Sequence, residues 1–156
     1  MKPAPHTFYK KRAALRITAV SAKELQIEGR SFTNTEPGMI LTEIAASAGE
    51  RKYDWSGKIA MAISPQEVFE ISTNIESGVK LFHDLGKGTN REGQTIKKLN
   101  VSHLPAKDGK AGGYAFNVYK KENGQESKIS IVLSPSEYAF LRFLLQCAVR
   151  TALGYS

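Results

Sequence analysis

Two stretches of the chain repeat one pattern of apolar and polar positions. AISPQEVFEI, at residues 62–71, and VLSPSEYAFL, at residues 132–141, each join an extended apolar run to Ser-Pro-x-Glu and then to helically spaced apolar residues. Serine caps a helix, proline suits its first position, and a glutamate three residues after the serine completes a capping box. The repeat therefore predicts two helices, which begin at Pro65 and Pro135.

Short runs of alternating apolar and polar residues precede each helix, and turn-forming residues separate them. In the first half of the chain they cover residues 8–20, 23–29, 39–47 and 51–63, and in the second half 79–85, 94–104, 114–121 and 127–133. The order of four strands, helix, four strands, helix predicts an α+β fold with two antiparallel four-stranded sheets. We expect one domain over residues 1–156, with repeat halves at 8–77 and 78–154.

Trp55 is the only tryptophan and lies among cations in RKYDWSGK, residues 51–58. It shares strand parity with the apolar Ile59 and Met61, which favours burial. Gly57 lies between them and can host a bulge that changes the face presented by the outer end of the strand. The sequence therefore leaves both a core position and an exposed position open for Trp55.

Strand faces that combine cations with aromatic rings are typical of surfaces that bind single-stranded nucleic acid. Lysine and arginine neutralise phosphates, and aromatic rings stack on bases of any sequence. In the strand over residues 8–20, Lys10, Arg12 and Arg16 lie on the face opposite the apolar residues. The candidate binding residues are Lys10, Arg12, Arg16, Arg51, Lys52, Tyr53, Trp55, Lys58, Lys97, Lys98, Tyr114, Phe116 and Tyr119. For each cation the alternative is a solvated surface charge, and for Tyr114 and Phe116 it is packing in the core.

The second predicted helix, residues 136–153, is apolar over more than half of its circumference, which is more than one sheet covers. This favours helices that meet across an oligomer interface over a helix enclosed between two sheets. The candidate interface residues are Tyr138, Leu141, Leu144, Leu145, Ala148 and Val149. Cys147 lies in the same apolar pattern, so we expect a buried, unreactive thiol.

The net charge supports a polyanionic partner. The chain has 22 lysine and arginine residues against 15 aspartate and glutamate residues, which gives a formal net charge of +7. Such an excess favours nucleic acid or an anionic membrane surface. No apolar run approaches the roughly 20 residues of a membrane span, and the basic N-terminal segment has no apolar signal region. We expect a protein that is neither secreted nor inserted in a membrane.

Motifs for catalysis and for cofactors are missing from the sequence. GKGT, at residues 86–89, lacks the glycine and Ser/Thr spacing of a Walker motif. The side chains of His6, His83, His103 and Cys147 lack metal-ligand spacing, and no nucleophile-base arrangement or catalytic carboxylate pair stands out. We therefore expect no enzymatic activity, no cofactor and no metal.

Several motifs together resemble the Whirly family of single-stranded DNA-binding proteins. RKYDWSGKIAMAIS, LFHDLGKGTNREG, IKKLNV, LP and GYAFNV occur in this order, and the resemblance runs over nearly the whole chain, from Tyr9 to Tyr155. YKKRAAL resembles that family's lysine-glycine-lysine-alanine-alanine-leucine segment. Lys10 and Arg12 stand at its two basic positions, and Lys11 stands where the glycine usually is.

The resemblance implies two sheets packed like propeller blades and helices that meet at the centre of a homotetramer. It also implies that single strands bind along sheet edges and between neighbouring subunits, with little sequence preference. Tyr53, Asp54 and Trp55 match the family's YDW segment, which implies that Trp55 touches bases or shapes the pocket that receives them.

The expected function is therefore binding of single-stranded DNA in DNA protection, repair, nucleoid maintenance or transcription regulation. One alternative is an RNA-binding or annealing protein on the same scaffold. Another is a structural oligomer whose basic faces bind a protein partner. The expected location is a bacterial cytoplasm or nucleoid, or the interior of a plastid or mitochondrion.

Overall fold

The computed structural model describes residues 4–21, 26–27, 30–31 and 38–154. Its strands are β1 (His6–Tyr9), β2 (Ala13–Val20), β3 (Gln26–Ile27), β4 (Arg30–Ser31), β5 (Met39–Gly49), β6 (Lys52–Tyr53), β7 (Ile59–Ile63), β8 (Val79–Asp84), β9 (Thr95–Leu104), β10 (Gly113–Glu122) and β11 (Gln125–Leu133). The helices are α1 (Pro65–Thr73) and α2 (Pro135–Ala152), with one 3-10 turn at Ile75–Ser77. The strand expected at residues 23–29 lies largely outside the described residues.

Both helices begin where the repeated Ser-Pro-x-Glu pattern predicts. At α1, the Glu67 backbone N–H donates to the Ser64 hydroxyl (3.2 Å) and the Glu67 carboxylate accepts from the Ser64 N–H (3.0 Å). Ser134 and Glu137 form the same reciprocal pair at the start of α2. Two otherwise unpaired backbone N–H groups are satisfied at each helix start, which fixes where the helices begin.

The first sheet is antiparallel and has the order β1-β2-β5-β7, with the short β6 paired to the end of β5. The strand predicted over residues 8–20 is divided, because the Lys10 N–H donates to the Ala13 carbonyl (2.9 Å) and closes a turn. The strand predicted over residues 51–63 is divided as well, into β6 and β7. Lys10 and Arg12 therefore lie in a turn and not on a strand face.

The second sheet is antiparallel and has the order β8-β9-β10-β11. Its register is continuous, with Leu81 opposite Leu99 and Val118 also opposite Leu99 from the other side. These three side chains are buried, and β11 lies against β2 and β5 of the first sheet. The inner faces of the two sheets thus form one core with the helices, and the outer face of the second sheet remains open.

Much of the apolar surface of α2 is buried within the chain, and the expected oligomer interface through α2 stays a prediction. The buried candidates are Tyr138, Leu141, Leu145, Ala148 and Val149. Only Leu144 of the predicted set is partly exposed. The helix contacts β2, β5, β10 and β11, so a wide apolar face is needed to cover both sheets at once. The large apolar side chains of α2 and its C-cap that remain exposed are Phe140, Phe143 and Leu153, and Cys147 is exposed instead of buried.

Candidate nucleic-acid interface

A tight turn between β6 and β7 sets the position of Trp55. The Asp54 carboxylate accepts from the Ser56 hydroxyl (2.8 Å) and from the Gly57 N–H (3.0 Å). These hydrogen bonds, that of Ser56 first, lower the pKa of Asp54. A Cβ at Gly57 would lie 2.4 Å from the Asp54 Oδ2 atom, so any other residue there would displace the Asp54 carboxylate. The turn interrupts the strand, and Trp55 is half-buried while Ile59 is buried.

Trp55 lies beside a group of ion-paired side chains on the outer face of the first sheet. We call Trp55, Arg16, Glu43 and Lys58 the Trp55 cluster. The Arg16 guanidinium carbon lies 4.0 Å from the Trp55 ring centroid. Arg16 Nε donates to Glu43 Oε1 (3.1 Å), and Lys58 Nζ contacts Glu43 Oε2 (2.5 Å). One face of the indole is therefore covered, and both cations already have a carboxylate partner.

Glu43 is held ionised by this arrangement. Glu43 is only 5% exposed, and this burial alone would raise the pKa of its carboxyl. The hydrogen bond from Lys58 and the charge and hydrogen bond of Arg16 outweigh that effect and lower the pKa. A carboxylate with two cations leaves one net positive charge on this surface. The two cations of the Trp55 cluster therefore attract a phosphate less strongly than two unpaired cations would.

A cleft opens at the end of the first sheet between the β1–β2 turn and the β5–β6 turn. It has a volume of about 680 Å³ and is lined by residues 9–11, 47, 49–51 and 53. The Tyr53 hydroxyl donates to the Lys10 carbonyl (2.6 Å), which ties the two turns together. The ring centroids of Tyr9 and Tyr53 are 5.5 Å apart. We call this feature the turn cleft.

The cations at the turn cleft differ in what they contact. Lys10 Nζ forms an ion pair with Glu137 Oε1 at 2.7 Å. Lys11, Arg12, Arg51 and Lys52 are all exposed. Four sequence-predicted residues, namely Lys10, Arg12, Arg51 and Lys52, are thus brought to one end of the first sheet, and all but Lys10 remain available for a phosphate.

The outer face of the second sheet carries a row of alternating rings and lysines. Phe82 is opposite Lys98, Lys98 is opposite Tyr119, and Tyr119 is opposite Lys128. The Lys98 ammonium is 5.9 Å from the Phe82 ring centroid and 5.3 Å from that of Tyr119, and Lys128 is 5.8 Å from Tyr119. We call these four residues the Lys98 row. It crosses all four strands at about 4.8 Å per strand.

The Lys98 row is accessible and its lysines have no carboxylate partner within the described residues. Phe82 is 59% exposed, and Lys98 and Lys128 are exposed. The Tyr119 hydroxyl donates to Glu126 (2.7 Å), which raises the pKa of Tyr119. This hydrogen bond fixes the ring while leaving it on the open face. Sequence reasoning missed Phe82 and Lys128, although each has outward parity on its strand.

Three predicted site residues face the interior. Phe116 is 2% exposed, and the Tyr114 ring stacks on that of Tyr138 with centroids 3.8 Å apart and 14° between planes. Lys97 is half-buried, and its Nζ donates to the Ala60 carbonyl of β7. Burial first, and the charge of Lys120 second, lower the pKa of Lys97. Core packing therefore accounts for the two rings, and Lys97 links the two sheets.

Within residues 4–21 and 38–154 and the short β3 and β4, no group of three or more His, Cys, Asp and Glu side chains could hold a metal ion. Over the same described residues, no helix has the length and apolar character needed to cross a membrane.

The fold and these surfaces define an α+β protein of two strand-helix repeats with open cationic and aromatic faces. A family model described as Whirly transcription factor matches residues 8–144. The chain belongs to the Whirly family, which confirms the assignment made from the sequence motifs. Neither this description nor the relatives' names include a catalytic activity, in agreement with the expectation that the chain is not an enzyme.

The relatives are plant organellar proteins. Single-stranded DNA-binding protein WHY1, chloroplastic, from Solanum tuberosum is 31% identical over 151 residues, which cover 96% of this chain and 54% of the relative. The chloroplastic WHY3 of Arabidopsis thaliana is 30% identical, with 97% and 56% covered. The mitochondrial WHY2 of the same plant is 26% identical, with 98% and 64% covered. The chain thus spans little more than half the length of the first two relatives.

Solved structures share the architecture. The crystal structure of WHY1 from Arabidopsis thaliana superimposes with a TM-score of 0.81 at 28% identity, and covers 97% of this chain and 85% of that one. The plant transcriptional regulator PBF-2 gives a TM-score of 0.79 at 30% identity, with 97% and 82% covered. The predicted fold of two antiparallel four-stranded sheets, each followed by a helix, is confirmed.

Proposed function

We propose that this chain binds single-stranded DNA with little sequence preference. The observation that carries the proposal is the Lys98 row, in which one exposed ring (Phe82) and one partly exposed ring (Tyr119) alternate with unpaired lysines across an open sheet. The names of the relatives, which are single-stranded DNA-binding proteins, support the same ligand. The exposed cations of the turn cleft extend the positive surface to the other sheet.

The proposed mechanism divides the work between charge and stacking. Lys98 and Lys128 neutralise phosphates and release counterions, while Phe82 and Tyr119 offer flat faces to bases at about 1 to 3 kcal/mol per stacked base. Duplex DNA hides the faces of its bases, so this surface prefers single strands. Stacking does not depend on base edges, which makes the binding tolerant of sequence.

A titration with matched ligands tests the function. Single-stranded DNA should bind well above duplex DNA of equal length and sequence. If roughly four to six phosphates are neutralised, log affinity should fall with log salt at a slope of about −3 to −4. Equal affinity for duplex and single strand would contradict the proposal. An RNA strand of the same sequence that binds more tightly than DNA would favour the RNA-binding alternative.

We also propose a homotetramer, assembled through the exposed apolar side of α2. Phe143 is 60% exposed and Phe140 is 45% exposed, and burial of such rings is a common source of association energy. Light scattering after size exclusion should give a tetramer for the unmodified protein and smaller species for Phe143→Asp. A monomeric unmodified protein would refute this assembly. A protein partner that nucleic acid cannot displace would instead favour the structural alternative.

The cellular role proposed is protection, repair or maintenance of DNA in an organelle. The relatives are chloroplast and mitochondrial proteins, which favours an organelle interior over a bacterial cytoplasm. Sequence-tolerant binding suits coating of exposed strands, because any stretch of single-stranded DNA offers bases to stack and phosphates to neutralise.

A further inference from the structure

The turn cleft has a shape and position different from those of the Lys98 row. It is a concave site of about 680 Å³ at the end of the first sheet, whereas the row crosses the open face of the second. A volume of this order is within the range of small-ligand sites. The cleft therefore suits a compact group such as one nucleotide, while an open row suits a continuing strand.

The cleft contains one exposed aromatic ring, Tyr9, which packs against a second ring, Tyr53, that is held in place. Tyr9 is 63% exposed and leans against Tyr53 with 42° between the ring planes. The hydrogen bond from the Tyr53 hydroxyl to the Lys10 carbonyl holds the second ring in place. A base can therefore stack on Tyr9 at little cost in side-chain ordering.

The charges of the cleft point to a strongly anionic group. Lys10 is neutralised by Glu137, so the cations left among the lining residues are Lys11 and Arg51. Neither forms an ion pair within the described part of the chain. Glu50 also lines the cleft, and its carboxylate can accept hydrogen bonds from a base amino group or a sugar hydroxyl. Glu50 offsets one of these two charges, and the exposed Arg12 and Lys52, next to Lys11 and Arg51 in the chain, keep the surroundings of the cleft positive. The excess of cations beside one ring matches a nucleotide that carries more than one negative charge.

We propose that the turn cleft binds a strand end that carries a terminal phosphate. The proposal rests on the binding of single-stranded DNA proposed above. A terminal phosphate monoester has a charge between −1.5 and −2 at neutral pH, roughly, because its second pKa is about 6. An internal phosphodiester has one charge. Lys11 and Arg51 pair with the terminal phosphate, and Tyr9 receives the last base.

Calorimetric titration with oligothymidine strands of ten nucleotides tests the proposal. The strands carry a 5′ phosphate, a 3′ phosphate or two hydroxyl ends. One of the phosphorylated strands should bind about tenfold tighter than the hydroxyl strand, as expected for an added charge-assisted contact. This ratio should shrink when the pH falls from 7.5 to 5.5, because the monoester then gains a proton. The two phosphorylated strands distinguish which end enters.

Substitutions in the turn cleft test which residues cause the preference for a terminal phosphate. Arg51 has a backbone φ of 55°, which glycine adopts without strain, so Arg51→Gly removes the charge and keeps the turn. Arg51→Gly and Lys11→Ala should each bring the affinity ratio close to one, and Tyr9→Ala should weaken both phosphorylated and unphosphorylated ends. Lys98→Ala is the matched control on the second sheet. It should lower every affinity and preserve the ratio.

The outcomes separate this proposal from the proposed function. Tight binding of all three oligonucleotides with equal affinity would overturn the end-binding cleft and leave single-strand binding intact. A phosphate preference that persists in both Arg51→Gly and Lys11→Ala would also overturn it, since another surface would then hold the phosphate. Failure of every oligonucleotide to bind would overturn both.

Discussion

The Trp55 cluster and the Lys98 row are both cationic and aromatic, but their charges are arranged in opposite ways. In the Trp55 cluster, Arg16 and Lys58 share the buried carboxylate of Glu43, and Arg16 covers one face of the indole. In the Lys98 row, the ammonium groups lie over the rings at 5.3 to 5.9 Å from the ring centroids, farther than the 4.0 Å between Arg16 and Trp55. The two lysines have no carboxylate partner within the described residues. A count of cations therefore overstates what the Trp55 cluster offers to a phosphate. We accordingly expect the Trp55 cluster to contribute to stability and the Lys98 row to bind the strand.

The largest expected effect separates the two aromatic positions. Tyr119→Ala should weaken single-stranded DNA binding by about 1 to 3 kcal/mol if the ring stacks on a base. Trp55→Ala should cost less than about 1 kcal/mol, because Arg16 covers one face of the indole. Tyr119→Phe is the control that keeps the ring and removes only the hydrogen bond to Glu126. The affinities come from titration at one fixed salt concentration, and a larger loss for Trp55→Ala than for Tyr119→Ala would reverse the comparison.

The next effect is on stability. Glu43→Gln should lower the free energy of unfolding by about 1 to 3 kcal/mol, since it leaves two cations without their carboxylate. The value is below that of a fully buried pair because Arg16 and Lys58 are about a third exposed. Glu126→Gln, at an exposed carboxylate beside the row, should change stability by less than about 0.5 kcal/mol. Urea unfolding measures the free energy of unfolding of both variants. An equal decrease in the two variants would show that Glu43 has no special structural role.

The features of the fold and site that the sequence predicts are those that depend on residues close together in the chain. The helix starts are local, since Ser64 and Glu67 lie within one turn, and the repeat located both. The pairing of Arg16 with Glu43 spans two strands, and no local pattern indicates it. Phe82 and Lys128 are visible only once the strand register aligns them in one row. The site was thus only partly predictable.

Two further patterns show what periodicity leaves open. The apolar breadth of α2 predicted an oligomer contact, which stays a prediction, but Leu141 and Leu145 are buried within the chain because one helix covers two sheets. The alternation over residues 8–20 continued through three cations that form a turn. Periodicity alone does not distinguish a long strand from two strands joined by a short turn.

A smaller effect concerns the salt dependence of binding. Lys98→Ala should flatten the slope of log affinity against log salt by about 0.7, the contribution of one neutralised phosphate on a single strand. Lys58→Ala should change the slope by less, because Lys58 already interacts with Glu43. Titrations at four salt concentrations give both slopes. The distinction between paired and unpaired lysines fails if the two substitutions flatten the slope equally.

The smallest effect is on the acid side of the stability profile. The pKa of Glu43 is lowered in the folded protein from its ordinary value of 4.5. Its stabilising contribution is therefore complete above the unfolded-state pKa and is lost as the pH falls through 4.5 toward the folded-state value. Unfolding measured between pH 7 and pH 3 should show a shallower loss of stability for Glu43→Gln than for the unmodified protein. Parallel profiles would show that another group causes the acid dependence.

Photochemical crosslinking tests most directly whether the strand lies across the second sheet. The protein is irradiated in complex with an oligothymidine, and mass spectrometry identifies the crosslinked residues. We expect crosslinks at Phe82 and Tyr119, and their loss in a Phe82→Ala/Tyr119→Ala variant that remains folded. Crosslinks at Trp55 with none in β8 or β10 would instead show that the strand lies on the first sheet.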